Sequence, residues 1–405
     1  MHTTSLLRIF RAWLISVTII YLIAPTYTSL ALRVVGVLLI FTLFLPVFFA
    51  KKLQVDAGIK ERPLGYKIVL FFLVLQFFCA EYAINYYTGS GIVSTISDFI
   101  DGKNLYSSYQ AYFKEENIAE LSLGKIPAII GLAATKSIFL YLFSSVFLGH
   151  ESKTVSRMML ISVLPIVLVS LARGTFFEIF EILVVIVYGV SLHVKRFKAR
   201  HALYALVIGL LFMGLFILNT LRRYEDAQSY FSGTCATFDY CFNPYGVSIS
   251  FEYMIFVLSA YFSMGLFFLS SYISFLFDGE LWASIFPFAA TSFAGIMNDG
   301  LEREICRYFL DCRAVWMPEL ISWISFFGIL MMYPILWYML RFSGKLERRI
   351  LSVGSRCSFP LLCLLLIYIL SLPVGKFWTV SSQNIISTLI FMGAIIISKI
   401  RRKAA

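Results

Sequence analysis

The sequence predicts an all-α polytopic membrane protein, on three observations: an apolar composition, apolar blocks of membrane-spanning length, and charge confined mostly to the links between them. Hydrophobic residues make up 60 % of the 405-residue chain and charged residues 14 %, with a mean hydropathy of +0.83. Soluble domains carry about 45–50 % apolar and about 25 % charged residues. A water-soluble fold has nowhere to put so much apolar surface. The blocks run to about 12 to 25 residues, near what a helix rising about 1.5 Å per residue needs to cross about 30 Å of hydrocarbon. Helices are the economical choice, because backbone facing lipid must satisfy its own hydrogen bonds.

Ten blocks read as spans: Trp13 to Ala24, Leu30 to Ala50, Tyr66 to Tyr86, Ile126 to Gly149, Met158 to Ala172, Thr175 to Val194, Ala202 to Thr220, Glu319 to Leu340, Cys357 to Val374 and Ile385 to Ile397. The first follows Arg8 and Arg11 as the core of a signal peptide would. Pro25-Thr26-Tyr27 is a poor small-residue cleavage site, so the block is read as a retained span.

An even number of spans puts both termini on one side, and charge says which. With the ends in the cytoplasm, the inside segments hold 22 of the 34 Lys and Arg residues. The rest of the chain holds 19 of the 23 acids, so the bias follows the positive-inside rule. The net charge of +11 is then retained cytoplasmic charge rather than a nucleic-acid surface.

Residues 248–297 are irregular, being apolar over Ile249 to Phe277 and again over Leu281 to Met297 with Asp278-Gly279-Glu280 between. As a cytoplasmic turn this acidic tripeptide would lack the Lys or Arg found in every other inside loop. A re-entrant hairpin dipping in from outside is favoured, with twelve spans as the alternative. The chain reads as one integral membrane domain, 1–405, with periplasmic loops at 87–125, 221–246 and 298–318. No internal repeat is visible.

Candidate chemistry lies in those loops and at one junction. Arg173, in Ser170-Leu171-Ala172-Arg173-Gly174, joins two spans with almost no loop, at or just below the outer surface. It fits either a snorkelling arginine that ends a helix or an anion clamp whose neighbouring glycine admits a ligand. Arg222 and Arg223 stand immediately outside a span, against the usual bias, and their planar forks suit phosphate oxygens. Ion pairing with Glu225 and Asp226 is the plain alternative. Asp299, Arg303 and Arg307 would share a helix face at four-residue spacing, in a loop that also holds Glu302, Glu304, Asp311 and Arg313. Arginines above a bilayer suit a reaction in which a diphosphate lipid carrier departs, and Glu225, Asp226, Asp299 or Glu302 could take the proton of an attacking hydroxyl.

His2, His150, His193 and His201 all fall in or beside cytoplasmic segments, so neither an outside catalytic histidine nor a histidine metal site is expected. Cys235-x5-Cys241 and Cys306-x5-Cys312 lie in outside loops, where disulfides form; four cysteines allow three connectivities. The loops are rich in aromatic residues, among them Tyr86, Tyr87, Tyr106, Tyr109, Tyr112, Phe113 and Tyr245, which serve as an interface belt or as platforms for sugar rings.

At this point the chain resembles the bacterial oligosaccharide repeat-unit polymerases, the O-antigen polymerase (Wzy-type) family. The likeness lies in the hydropathy plan, the Ser-Leu-Ala-Arg-Gly junction at 170–174, the Ser259-Ala260-Tyr261-Phe262-Ser263-Met264-Gly265-Leu266 stretch, and the spacing of Arg222 from Gly233. Leu171-Ala172 interrupts the family's Ser-Arg-Gly junction. The resemblance implies a GT-C-type glycosyltransferase of the bacterial inner membrane. It would move a growing glycan from undecaprenyl diphosphate to an incoming lipid-linked repeat unit at the periplasmic face, without metal, cofactor or nucleotide sugar. Arg173 and Arg222 would grip carrier phosphates, with Arg223, Arg303 and Arg307 as further candidates. A chain-length regulator and a flippase would be its partners.

Three rivals are weighed against it. A lipid-linked oligosaccharide flippase should show two related halves, and an O-antigen ligase a histidine in a large outside loop. A general membrane transporter would use Arg173 with Glu178 or Glu181 as buried pairs, the two glutamates being three apart on one helix.

Overall fold

The computed structural model describes residues 2–3, 5–48, 51–52, 63–115, 123–149, 151–193, 209, 214, 216–217, 232–235, 240–275, 318–376, 378 and 381–404. These residues are helical throughout apart from loops and a two-residue parallel pair, His2–Thr3 (β1) with Lys51–Lys52 (β2). Four helices among them are long and apolar enough to cross a membrane, and a fifth candidate is a pair bent by 60°. The chain is thus an all-α membrane protein. It gathers into two compact units, each discontinuous in sequence.

The first unit comprises Met1–Leu53, Tyr224–Gly344 and Tyr368–Val380. Helix α1 (Ser5–Ile23) begins before the apolar block, with Arg11 donating to the Val47 carbonyl just beyond α2 (Leu30–Leu43), in α3 (Leu45–Phe48). The turn between α1 and α2 is held by Arg33. This buried guanidinium donates to the carbonyls of Leu22 (2.7 Å), Tyr21 (3.3 Å), Thr26 (3.0 Å) and Thr28 (3.2 Å), and to the Thr26 hydroxyl (2.9 Å). A cation there satisfies the last carbonyls of α1 and complements its dipole. Tyr245 completes the knot, its hydroxyl donating to the Ala24 carbonyl at 2.6 Å and accepting from Arg33 at 3.3 Å.

Residues 249–275 form α11 (Ile249–Phe262) and α12 (Met264–Phe275), and the 60° bend falls at Ser263. Such a bend belongs to a broken span or a re-entrant segment, which is the region where the sequence was irregular. Glu252 starts α11 by accepting the backbone N–H groups of Tyr245, Val247 and Ser248. The Asp278-Gly279-Glu280 turn lies outside the described residues. Further on, the block expected at Glu319 to Leu340 is divided at Gly328 into α13 (Glu319–Phe327) and α14 (Ile329–Val353), the latter running past Arg341 into the basic segment.

The second unit comprises Gln54–Arg223, Lys345–Ile367 and Ser381–Ala405. Its centre is α4 (Tyr66–Thr88) packed along α7 (Lys125–Leu148). On α4, Val69, Leu73, Gln76, Ala80 and Ala83 are buried while Phe71, Val74 and Phe78 point outward. Apolar residues on both faces are what a lipid-facing helix shows. Around this pair lie α8 (Lys153–Leu160), α9 (Val163–Ala172), α10 (Phe177–His193) and α16 (Ser382–Ala404), with α15 (Ser358–Ser371) contributing its first ten residues. The expected loop 87–125 contains two short helices, α5 (Ile92–Ile100) and α6 (Leu105–Glu115), both packed against α4 and α9. Glu81 starts α5 by accepting the Ile92 N–H at 2.8 Å.

Candidate functional site

The site is built where α9 meets α10 in the second unit. Apolar Val163–Ala172 makes α9, and Arg173 caps it, its N–H bonded to the Val169 carbonyl. Gly174 follows at φ +56°, and a Cβ there would lie 2.6 Å from the backbone nitrogen of Tyr106. Only glycine combines that backbone with that approach. The α6 helix therefore starts directly on the junction.

The chain re-enters helix through Thr175-Phe176-Phe177-Glu178. Ser170 donates its hydroxyl to the Thr175 carbonyl at 2.6 Å, and Thr175 donates its own to Glu178 Oε2 at 2.8 Å. Glu178 falls in the first turn of α10, where the helix dipole favours a carboxylate. Its other oxygen, Oε1, accepts from Arg173 Nη1 at 2.6 Å. The Glu178 side chain is 3 % exposed and that of Arg173 27 %, so the carboxylate is enclosed and the arginine side chain is partly exposed.

Aromatic rings roof this pair. The Tyr109 ring centroid lies 5.8 Å from the Arg173 guanidinium carbon, a cation–π distance, and Tyr109 packs on Phe113 at 5.6 Å. Tyr87, in edge contact with Tyr86, sits on the buried cluster of Ala80, Ala83, Ile84, Leu132, Val169 and Ala172. The tyrosines expected to belong to an outside loop thus surround the one candidate arginine that the structure describes. A guanidinium offers five N–H donors in a fixed fork. With Nη1 on Glu178 and Tyr109 taking a further hydrogen bond, its remaining N–H groups can still donate to an oxyanion.

Deeper in the unit, a second charge pair lies in the bundle. Lys136, halfway along α7, donates to both oxygens of Glu181 on α10, at 2.5 Å each, and to Asn384 Oδ1 on α16. Both charged side chains are 4 % exposed. Beside it, Gln76 of α4 donates to the carbonyls of Thr135 (3.0 Å) and Ser162 (2.9 Å), while Ser137 and Ser387 share a bond of 2.9 Å. Four helices thus meet on polar side chains in an otherwise apolar bundle. Below them, near the far ends of α7 and α10, Glu151 accepts from Arg356 Nη2 and from the Leu64 N–H.

An apolar groove of about 490 Å³ opens on the α4 face, lined by Leu70, Val74, Phe77, Phe78, Met158 and Ile161. Among the described residues no three His, Cys, Asp or Glu side chains converge as a metal site would require.

Of the candidates from sequence, Arg173 is placed as described. Arg222, Arg223, Glu225, Asp226, Asp299, Glu302, Arg303 and Arg307 lie outside the described residues, as do Cys306 and Cys312. In the first unit, Cys235 and Cys241 form a disulfide with each other. Lys136, Asn384, Gln76 and Arg33 were not anticipated. The Thr175-x-x-Glu178 spacing was a readable helix-start signal, and a lone lysine in an apolar block of 24 residues was another. Compared with known proteins, the chain matches no family model, no curated protein and no solved structure.

Proposed function

We propose that the chain is a polyprenyl-diphosphate-dependent glycosyltransferase, a repeat-unit polymerase of the O-antigen type. The observation that carries the reading is Arg173: a partly exposed arginine whose guanidinium is anchored on Glu178 at a helix junction beside Tyr87 and Tyr109. Such a site offers donors for a carrier phosphate beside aromatic faces for the attached sugar. The apolar groove on α4 gives the carrier's isoprenoid tail a matching surface in the same unit.

In this reaction the anomeric carbon of the growing glycan breaks its bond to the diphosphate oxygen and bonds to a hydroxyl of the incoming repeat unit. Arg173 takes up charge developing on the departing diphosphate, assisted by Arg222, Arg223, Arg303 or Arg307. The hydroxyl proton passes to a carboxylate, for which Glu225, Asp226, Asp299 and Glu302 are the candidates. Neither metal nor nucleotide sugar enters these steps.

The finer topology belongs to the same proposal. Ten spans and a hairpin at 248–297, with both termini cytoplasmic in a bacterial inner membrane, put the Arg173 junction on the periplasmic side. A flippase would deliver the lipid-linked substrate, and a chain-length regulator would act on the product. Deleting the gene tests the reading: surface glycan reduced to single repeat units supports it, whereas loss of all glycan or unchanged chain lengths contradicts it.

One specific observation favours a second reading. The Lys136–Glu181 pair, braced by Asn384 in mid-bundle, is the kind of intramembrane charge that transporters place along a pathway. Gene deletion separates the two, since loss of all glycan is what a blocked flippase produces.

A further inference from the structure

The Lys136–Glu181 pair and the Arg173–Glu178 pair share helix α10. Glu178 and Glu181 are three residues apart, one turn on the same face. Both carboxylates are enclosed, and each has one cation of its own. Lys136 interacts electrostatically with Glu178 as well, and the two glutamates repel each other. The four groups therefore form an alternating row, Arg173, Glu178, Lys136, Glu181, whose formal charges cancel.

In a bundle of low dielectric such a row is read as a whole, since unit charges a few ångströms apart interact far more strongly there than in water. Without Lys136, two carboxylates one turn apart would both bear on Arg173, drawing its guanidinium inward and giving the cluster a negative charge. Without Glu181, the freed ammonium would compete for Glu178, loosen its hold on Arg173 and leave the cluster positive. The hydrogen bonds of Lys136 go to Glu181 and Asn384, not to Arg173.

We propose that Lys136 and Glu181 are positioning residues that set how strongly Arg173 binds an anionic phosphate group, acting through Glu178. The inference rests on the proposed role of Arg173 and deepens it, by making the strength of the clamp depend on a charge pair buried behind it. Asn384, which accepts from Lys136, holds the ammonium on Glu181.

Opposite signs separate this role from a structural one. The probe is inorganic diphosphate, titrated calorimetrically into the purified full chain in lipid nanodiscs. Wild-type protein should bind it, and Arg173→Lys should weaken binding by removing the fork. Lys136→Met should raise the dissociation constant by about tenfold, whereas Glu181→Gln should lower it by about threefold, each following the net charge left on the row. The double variant, Lys136→Met with Glu181→Gln, restores neutrality and should return to within about threefold of wild type. If Lys136→Met does not fold, Glu181→Gln and the double variant still carry the test.

Weakening in both single variants, or no change in either, overturns the inference while leaving Arg173 as the clamp. Absence of Arg173-dependent binding in the wild-type protein removes the clamp and the inference together.

Discussion

Lys136 on α7 and Glu181 on α10 bond at 2.5 Å in the apolar centre of the second unit, each side chain only 4 % exposed. A charge left there alone is far more costly than the pair. Replacing one partner of a buried ion pair typically costs about 3–5 kcal/mol, whereas replacing both by neutral residues of similar volume is often close to neutral. Thermal unfolding in detergent should therefore show a large drop for Lys136→Met and a substantial recovery on adding Glu181→Gln. A double variant as unstable as the single one would mean that the pair is not what holds these helices.

Gly174 is the tightest point of the site. Its φ of +56° and the Tyr106 nitrogen 2.6 Å from its missing Cβ both oppose any larger side chain. Gly174→Ala should destabilise the chain by about 1–3 kcal/mol and shift α6 off the junction. Because that shift displaces the Tyr109 ring, loss of long glycan chains should exceed any loss of protein. Unchanged melting and unchanged chain length would contradict this geometry.

Arg33 should matter to the first unit about as much as a core residue. It closes α1 with bonds to Tyr21, Leu22, Thr26 and Thr28, all neutral acceptors. Arg33→Met orphans several buried carbonyls, at about 1–3 kcal/mol for each that water does not reach. Tyr245→Phe removes the bond to the Ala24 carbonyl and should cost about 1 kcal/mol. Equal melting temperatures for Arg33→Met and wild type would rule out the staple.

The Cys235–Cys241 disulfide makes a prediction about sidedness. In an oxidising compartment both thiols should resist maleimide in intact cells and become reactive after reduction. Cys235→Ser should cost about 2 kcal/mol, the loop-closure value for so short a loop. Labelling of both cysteines without reductant would place this loop on the reducing side and invert the topology.

Long apolar blocks were read closely from sequence, and side-chain partnerships hardly at all. The expected Tyr66 to Tyr86 and Ile126 to Gly149 became Tyr66–Thr88 and Lys125–Leu148, because length and hydropathy are set by the membrane itself. Breaks inside apolar runs were less visible. Ser263 and Gly328 divide stretches of uniform hydropathy, which carry no mark of where a helix bends. The loop 87–125 hid α5 and α6, helices of 9 and 11 residues that are too short to register as membrane-spanning blocks.

The junction at Arg173 was legible as an arginine out of place, but not as a bond to Glu178. Of the readings of Arg173, the buried pair is the one seen directly, as the bond from Arg173 to Glu178. Lys136 escaped notice because its partners, Glu181 and Asn384, are 45 and 248 residues away in sequence. Arg33 was hidden for a different reason, since its acceptors are backbone carbonyls that no sequence pattern displays.

The most direct test is synthesis in a defined membrane. The purified chain, reconstituted into vesicles, is given one undecaprenyl-diphosphate-linked repeat unit from its source as the only sugar donor, and products are sized. A ladder of lipid-linked glycan that lengthens with time, and that Arg173→Lys reduces to the single unit, is the predicted result. Substrate that remains one unit long with wild-type protein, or that merely crosses the vesicle membrane, would contradict it.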